Sequence, residues 1–136
     1  MSDKPKEPGR PTDAELEILT VLWSLGPSTV RAVHEALRRR KTSPSTTQYT
    51  TVLKIMQIMA EKGLVRRNEK QRAHIYEPRR SREWTQQQLA GDLLQRAFGG
   101  SARSLVMGAL AAQPASKEEL AEIRKMINRF AKGGSR

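Results

Sequence analysis

The sequence predicts a mainly α-helical chain with one small β-hairpin: three helices and the hairpin, then three further helices. Three observations predict it. Apolar residues recur at three- and four-residue spacing in several segments opened by hydroxyl side chains or closed by glycine. A polar run, Asn68-Glu69-Lys70-Gln71-Arg72, lies between two short segments that read as paired strands. Charge divides the 136 residues: residues 31–82 carry 14 Lys/Arg against 4 Asp/Glu, residues 1–30 have 3 against 5, and residues 83–136 have 8 against 5. Nearly all of the net charge of +11 therefore sits in the middle third. With a sequence pI near 10.7, this favours a polyanionic partner: DNA, RNA or an anionic membrane surface.

Residues 1–11 are proline, glycine and charge, too polar to pack, and read as a disordered lead. Thr12-Asp13-Ala14-Glu15 has the spacing of a capping box, so a first helix is expected over residues 13–25. Its Leu16, Ile18, Leu19, Val21, Leu22, Trp23 and Leu25 occupy more than one face, as in a core helix covered on two sides. Gly26-Pro27 ends it. Ser28 or Thr29 caps a second helix with Val30, Val33 and Leu37 inward, finishing in Arg38-Arg39-Arg40-Lys41. Those four cations suit the negative end of a helix dipole and equally suit phosphate. His34-Glu35 resembles the start of a zinc-protease motif, but Arg38 stands where the second ligand is needed. His74 is the only other histidine, so no metal site is expected.

Residues 41–45, KTSPS, form a turn-rich connection into the stretch that organises the chain, residues 46–65, TTQYTTVLKIMQIMAEKGLV. Val52, Met56 and Met59 form a buried row, and Gly63 supplies the left-handed stop of a helix of about four turns. Opposite lie Thr50, Thr51 and Lys54, short hydroxyls and one cation that reach base edges and phosphates without filling a groove. Ile55 and Ile58 continue the row beside them. An ordinary amphipathic core helix has the same pattern, so the flanks must decide. Leu64-Val65-Arg66-Arg67 and Ala73-His74-Ile75-Tyr76 read as the strands of a hairpin carrying Arg66, Arg67, Lys70 and Arg72. A basic hairpin beside such a helix is a wing whose cations grip adjacent phosphates, which makes the first unit a winged helix-turn-helix.

Pro78 closes the wing and residues 79–82 make a basic linker. Residues 83–98 carry Trp84, Leu89, Leu93, Leu94, Ala97 and Phe98 at helical spacing and stop at Gly99-Gly100. Ser101 caps a further helix with Leu105, Val106, Ala109 and Leu110 on one side. After Pro114, Ser116-Lys117-Glu118-Glu119 repeats the capping-box spacing ahead of Leu120, Ile123, Ile127 and Phe130. Three narrow apolar stripes in roughly fifty residues make a weak independent core, and a second copy of the chain is the simplest cover. The expected organisation is a lead over 1–11, a winged-helix DNA-binding domain over 12–78, a linker over 79–82, a helical dimerisation domain over 83–131 and a flexible tail over 132–136.

The absence of cysteine removes disulfides, thiolate metal sites and thiol nucleophiles. No stretch has the length of a membrane span and the N-terminus lacks the apolar core of a signal peptide, so a cytoplasmic protein without membrane insertion is expected. There is no phosphate loop, nucleophile elbow or obvious carboxylate pair, so the chain reads as a binding protein and not an enzyme, without a cofactor or an evident small-molecule ligand.

Taken together, TDAELEILTVLWSLGPSTVRAVHEAL, YTTVLKIMQIMAEKGLVRR, RAHIYEP, FGGSARSLV and SKEELAEIRKMI resemble, in order and spacing, the BlaI/MecI penicillinase-repressor family, which includes the CopY-type copper-responsive repressors. The resemblance covers roughly residues 12–130. It implies a bacterial repressor linked to antibiotic resistance, a homodimer on an inverted-repeat operator in double-stranded DNA, released by a regulatory protease or, in the copper branch, by metal. Carried over by position, it puts Thr50, Thr51, Lys54, Ile55 and Ile58 on the DNA-facing side; Tyr49 at the start of the same helix and the wing cations Arg66, Arg67, Lys70 and Arg72 complete the expected DNA-binding residues. Thr51 and Lys54 are the favoured direct readers, and the isoleucines offer apolar contact to thymine methyls. The apolar stripes of the C-terminal helices, Leu89, Leu93, Leu105, Val106, Leu110, Leu120, Ile123, Ile127 and Phe130, are the expected dimer contact within the dimerisation domain that the resemblance implies.

Departures from the family pattern carry information too. Where the family's wing commonly turns at glycine, this chain has Gln71 and Arg72. Copper sensing through a C-terminal cysteine cluster is excluded. The Asn-Phe pair often cut in the lactam-responsive branch is missing from the matching segment, residues 105–110, LVMGAL. The alternative to a DNA repressor is an RNA-binding or non-specific nucleic-acid-binding protein, which aromatic residues at 4% make a poor fit because stacking platforms are scarce.

Overall fold

The computed structural model describes residues 10–40 and 48–133. Its elements are α1 (Asp13–Leu25), α2 (Val30–Arg39), α3 (Tyr49–Lys62), β1 (Val65–Asn68), β2 (Ile75–Pro78), α4 (Arg82–Ala97), α5 (Ala102–Ala112) and α6 (Lys117–Gly133). This is the mainly helical chain with one hairpin that the pattern predicts: a winged helix-turn-helix followed by a helical segment. Most of the expected lead, the KTSPS connection and the last three residues lie outside the described residues. Residues 132 and 133 of the expected tail belong to α6.

Local chemistry fixes the helix ends. Thr12 Oγ1 accepts from the Glu15 amide at 3.2 Å while Glu15 Oε1 accepts from the Thr12 amide at 2.9 Å, the reciprocal capping box. Of the two candidate caps for α2, Thr29 serves, its hydroxyl accepting from the Ala32 amide at 3.1 Å. Ser28 is instead buried in an extended bridge to Tyr76, with backbone bonds of 2.9 and 2.8 Å in the two directions. α3 ends at Gly63, whose φ of 84° is the left-handed conformation. The Leu64 amide bonds to the Met59 carbonyl and the Gly63 amide to the Ala60 carbonyl, which together form a Schellman motif.

β1 and β2 pair antiparallel in the register Val65↔Pro78, Arg66↔Glu77, Arg67↔Tyr76, Asn68↔Ile75. The core gathers Ile18, Leu19, Val21 and Leu22 of α1, Val30, Val33 and Leu37 of α2, Val52, Met56 and Met59 of α3, and Leu64, Val65 and Tyr76 of the hairpin. Leu25, expected among the covered residues of α1, is exposed. Burying these side chains at roughly 25 cal/mol per Å² is what holds three helices and a two-stranded hairpin together, since neither the hairpin nor any one helix is stable alone. α3 thereby has its inner side fixed in the core and its outer side free.

The chain divides into two compact units, the first ending at Leu89 and the second beginning at Ala90, inside α4. In the first unit the basic residues 79–82 are anchored. The Trp23 indole donates to the Arg80 carbonyl at 3.1 Å, the Arg82 guanidinium lies 5.9 Å from the Trp23 ring centre, and Arg80 lies 4.5 Å from that of Trp84. Thr85, one turn into α4, is buried. The second unit differs in kind: neither α5 nor α6 buries a single residue.

Candidate nucleic-acid interface

The periodicity of α3 decides which side chains face outward. With Val52, Met56 and Met59 fully buried, the side opposite them, one hundred degrees per residue around the axis, presents Thr50, Lys54, Gln57, Ile58 and Glu61, all exposed. Tyr49 is exposed at the helix start, where its ring meets that of His34 of α2 edge-on at 5.7 Å. Thr51 is half-buried at the margin of this face. Ile55 is half-buried and packs against the core, so much of its apolar surface is already committed. Of the six α3 residues singled out in the sequence, Tyr49, Thr50, Lys54 and Ile58 are open to solvent, and Thr51 and Ile55 are partly covered.

The wing sorts its four cations into two kinds. Arg66 faces Glu77 across the ladder, at 3.9 Å, and Arg67 pairs with Glu69 at 2.7 Å. A hydrogen bond with the Tyr76 side chain, then the charge of Glu69, push the Arg67 pKa further above its already high ordinary value. Lys70 and Arg72 are exposed and make no ion pair among the described residues. The tip is shaped by Asn68, whose side-chain oxygen accepts from the Lys70 amide at 3.0 Å in place of a glycine turn.

Between the start of α2, the outer flank of α3 and the wing runs an open groove of about 500 Å³. Arg31, Tyr49, Gln57, Arg67, Arg72 and His74 line it, and no carboxylate does. Arg31, Arg67 and Arg72 thus border one concavity, Arg67 with its guanidinium paired to Glu69, and this concentration of positive charge suits a phosphodiester strand. Arg31, Gln57 and His74 did not figure as site residues in the sequence. Gln57 had a signal, standing three positions after Lys54 on the same helical face. His74 stands on a strand read as part of the wing, whereas Arg31 had no signal, because only the packing of α2 against α3 brings it to the groove.

α3 itself is held by one further contact. The buried Glu15 side chain, 5% exposed, receives Lys62 Nζ at 2.8 Å on its carboxylate, joining the start of α1 to the end of α3. Of the residues assigned to self-association, Leu93, Val106, Leu120, Ile127 and Phe130 are exposed, Phe130 to 75%. Leu89, Leu105, Leu110 and Ile123 are half-buried. Met107 and Met126 add to the exposed apolar surface. No group of three histidines or carboxylates able to hold a metal occurs among the described residues, and no helix there is long and apolar enough to cross a membrane.

A family described as Penicillinase repressor matches residues 11–129. Two relatives from Mycobacterium tuberculosis, strains CDC 1551 / Oshkosh and H37Rv, are both named Transcriptional regulator BlaI. Each is 36% identical to this chain over 96 residues, spanning 70% of the chain and 67% of the relative.

Proposed function

The chain belongs to the penicillinase repressor family of transcriptional regulators, and from that premise we propose that it is a homodimeric, sequence-specific DNA-binding repressor acting at an inverted-repeat operator. The observation that carries this reading is the outer face of α3, with Thr50 and Lys54 outward beside a groove bordered by Arg31, Arg67 and Arg72 and by no carboxylate residue. On this reading α3 enters the major groove, where Thr51 and Lys54 meet base edges. Arg72 and Lys70 of the wing hold the neighbouring phosphates. The apolar side chains left open on α5 and α6 are covered by a second copy of the chain, which sets the half-sites about one turn of DNA, or a multiple of it, apart.

Repression follows from occupancy, since a dimer lying over promoter DNA excludes polymerase. Such a protein works in the cytoplasm by binding energy and makes no bonds. Release by a regulatory protease responding to cell-wall antibiotics belongs to the same reading, with residues 105–110 of α5 as the segment cut. The segment is helical and its apolar side chains belong to the proposed dimer contact, so cleavage requires local opening of α5. Cells induced with such an antibiotic should then contain a shortened chain; full-length protein alongside induced targets would overturn this part.

Genome-wide mapping of bound DNA in the native cells, followed by motif extraction, tests the main reading. A short inverted repeat upstream of a few genes is the expected result. Enrichment without a motif, or on transcripts, would overturn it.

A further inference from the structure

The five exposed side chains on the outer face of α3 differ in what each can distinguish. A threonine hydroxyl serves as donor or acceptor to any base, Lys54 is a point charge with donors only, Ile58 offers apolar contact and Glu61 only accepts. Gln57 alone carries a donor and an acceptor on one planar group, which is the complement of the N6 donor and N7 acceptor that adenine shows in the major groove. No hydrogen bond occupies the Gln57 side chain among the described residues.

Placement agrees with chemistry. Gln57 follows Lys54 by three residues, a rise of about 4.5 Å along the helix, between one and two of the roughly 3.4 Å steps that separate base pairs. It lines the groove that also holds Arg31, Arg67 and Arg72, so groups able to fix the sugar-phosphate strand stand around an amide able to read a base edge. One turn further along the same face, Glu61 brings negative charge, which opposes deeper entry of the C-terminal half of α3 among phosphates. Gln57 is thus the last residue of the face before Glu61 able to hydrogen-bond a base edge.

We propose that Gln57 is a specificity-determining residue that reads an adenine in each operator half-site, at a base pair adjoining the one met by Lys54. The inference rests on the DNA-reading function proposed above.

The test is selection of bound duplexes from a randomised pool, using the full-length chain as wild type, Gln57→Ala and Gln57→Arg. Wild type should select an inverted repeat containing adenine at one position of each half-site. Gln57→Ala should lose that preference, by about 5- to 150-fold in discrimination, and keep the rest of the motif. Gln57→Arg should select guanine at the same position, a change of identity that no loss of stability produces. An unchanged motif in both variants, or equal weakening on every sequence, would overturn the role of Gln57 and leave the repressor reading standing. A wild-type protein that selects no motif would overturn both.

Discussion

Glu15 is the only charged side chain buried among the described residues, and its one carboxylate closes the capping box of α1 while receiving Lys62 from the end of α3. A buried carboxylate is tolerable only because these donors replace water. Its removal strands the Thr12 amide and loosens the seat of α3. Glu15→Ala should therefore lower unfolding stability by about 1–3 kcal/mol, measured by chemical denaturation at fixed protein concentration. A loss under about 0.5 kcal/mol would show that water satisfies these groups equally well. Exposed residues divide differently, by what they touch. Lys54→Ala should mainly reduce discrimination between operator and random DNA. Arg72→Ala should weaken binding to both and flatten the dependence of log affinity on log salt by about one unit. Both are exposed, so neither should unfold the protein, and titrations on the two DNAs at several salt concentrations separate the effects. Equal losses on both DNAs for Lys54→Ala would contradict its role as a reader.

Secondary structure was legible wherever the signal was local. Thr12, Thr29, Gly63 and Ser101 end or begin helices where their chemistry says they must, and the inward rows of α2 and α3 follow from spacing alone. The wing strands lie where the apolar residues on either side of the polar run put them. What the chain order hid were properties set by partners distant in sequence. Register decides that Arg66 faces Glu77, and turn shape decides that Arg67 meets Glu69, so the four wing cations are unequal for reasons no composition reveals. Ile55 and Thr51 stand at the margin of α3, where the cover from neighbouring elements decides burial. The basic joint is tied down by Trp23, 57 positions away from Arg80. At this scale the end of α3 makes a direct prediction. Gly63 holds φ at 84°, a conformation that costs a side-chain-bearing residue about 1–2 kcal/mol. Gly63→Ala should lower stability by about 1 kcal/mol although a new Cβ would meet nothing within 4 Å, and thermal unfolding would detect it.

The whole molecule must reconcile a well-packed first unit with a second unit whose α5 and α6 bury nothing. Ile127, 55% exposed, and Phe130, 75% exposed, lie on one side of α6, three residues apart, with Ile123 a turn earlier. Apolar surface of that kind is stabilised only by leaving water, and isolated helices of this length are marginal, so association should supply part of the order of the second unit. On the proposed function, association would also supply affinity. One small winged unit offers few base contacts, and linking two makes the second docking intramolecular, which raises overall affinity by about 10²- to 10⁴-fold. Ile127→Asp places a charge in the proposed contact and leaves the core of the first unit untouched. Sedimentation should then report a monomer, and operator affinity should fall by a factor in that range while binding to a single half-site is unchanged. A variant that is monomeric yet binds the full operator like wild type would refute the link between association and repression; one that stays dimeric would place the contact elsewhere on the second unit.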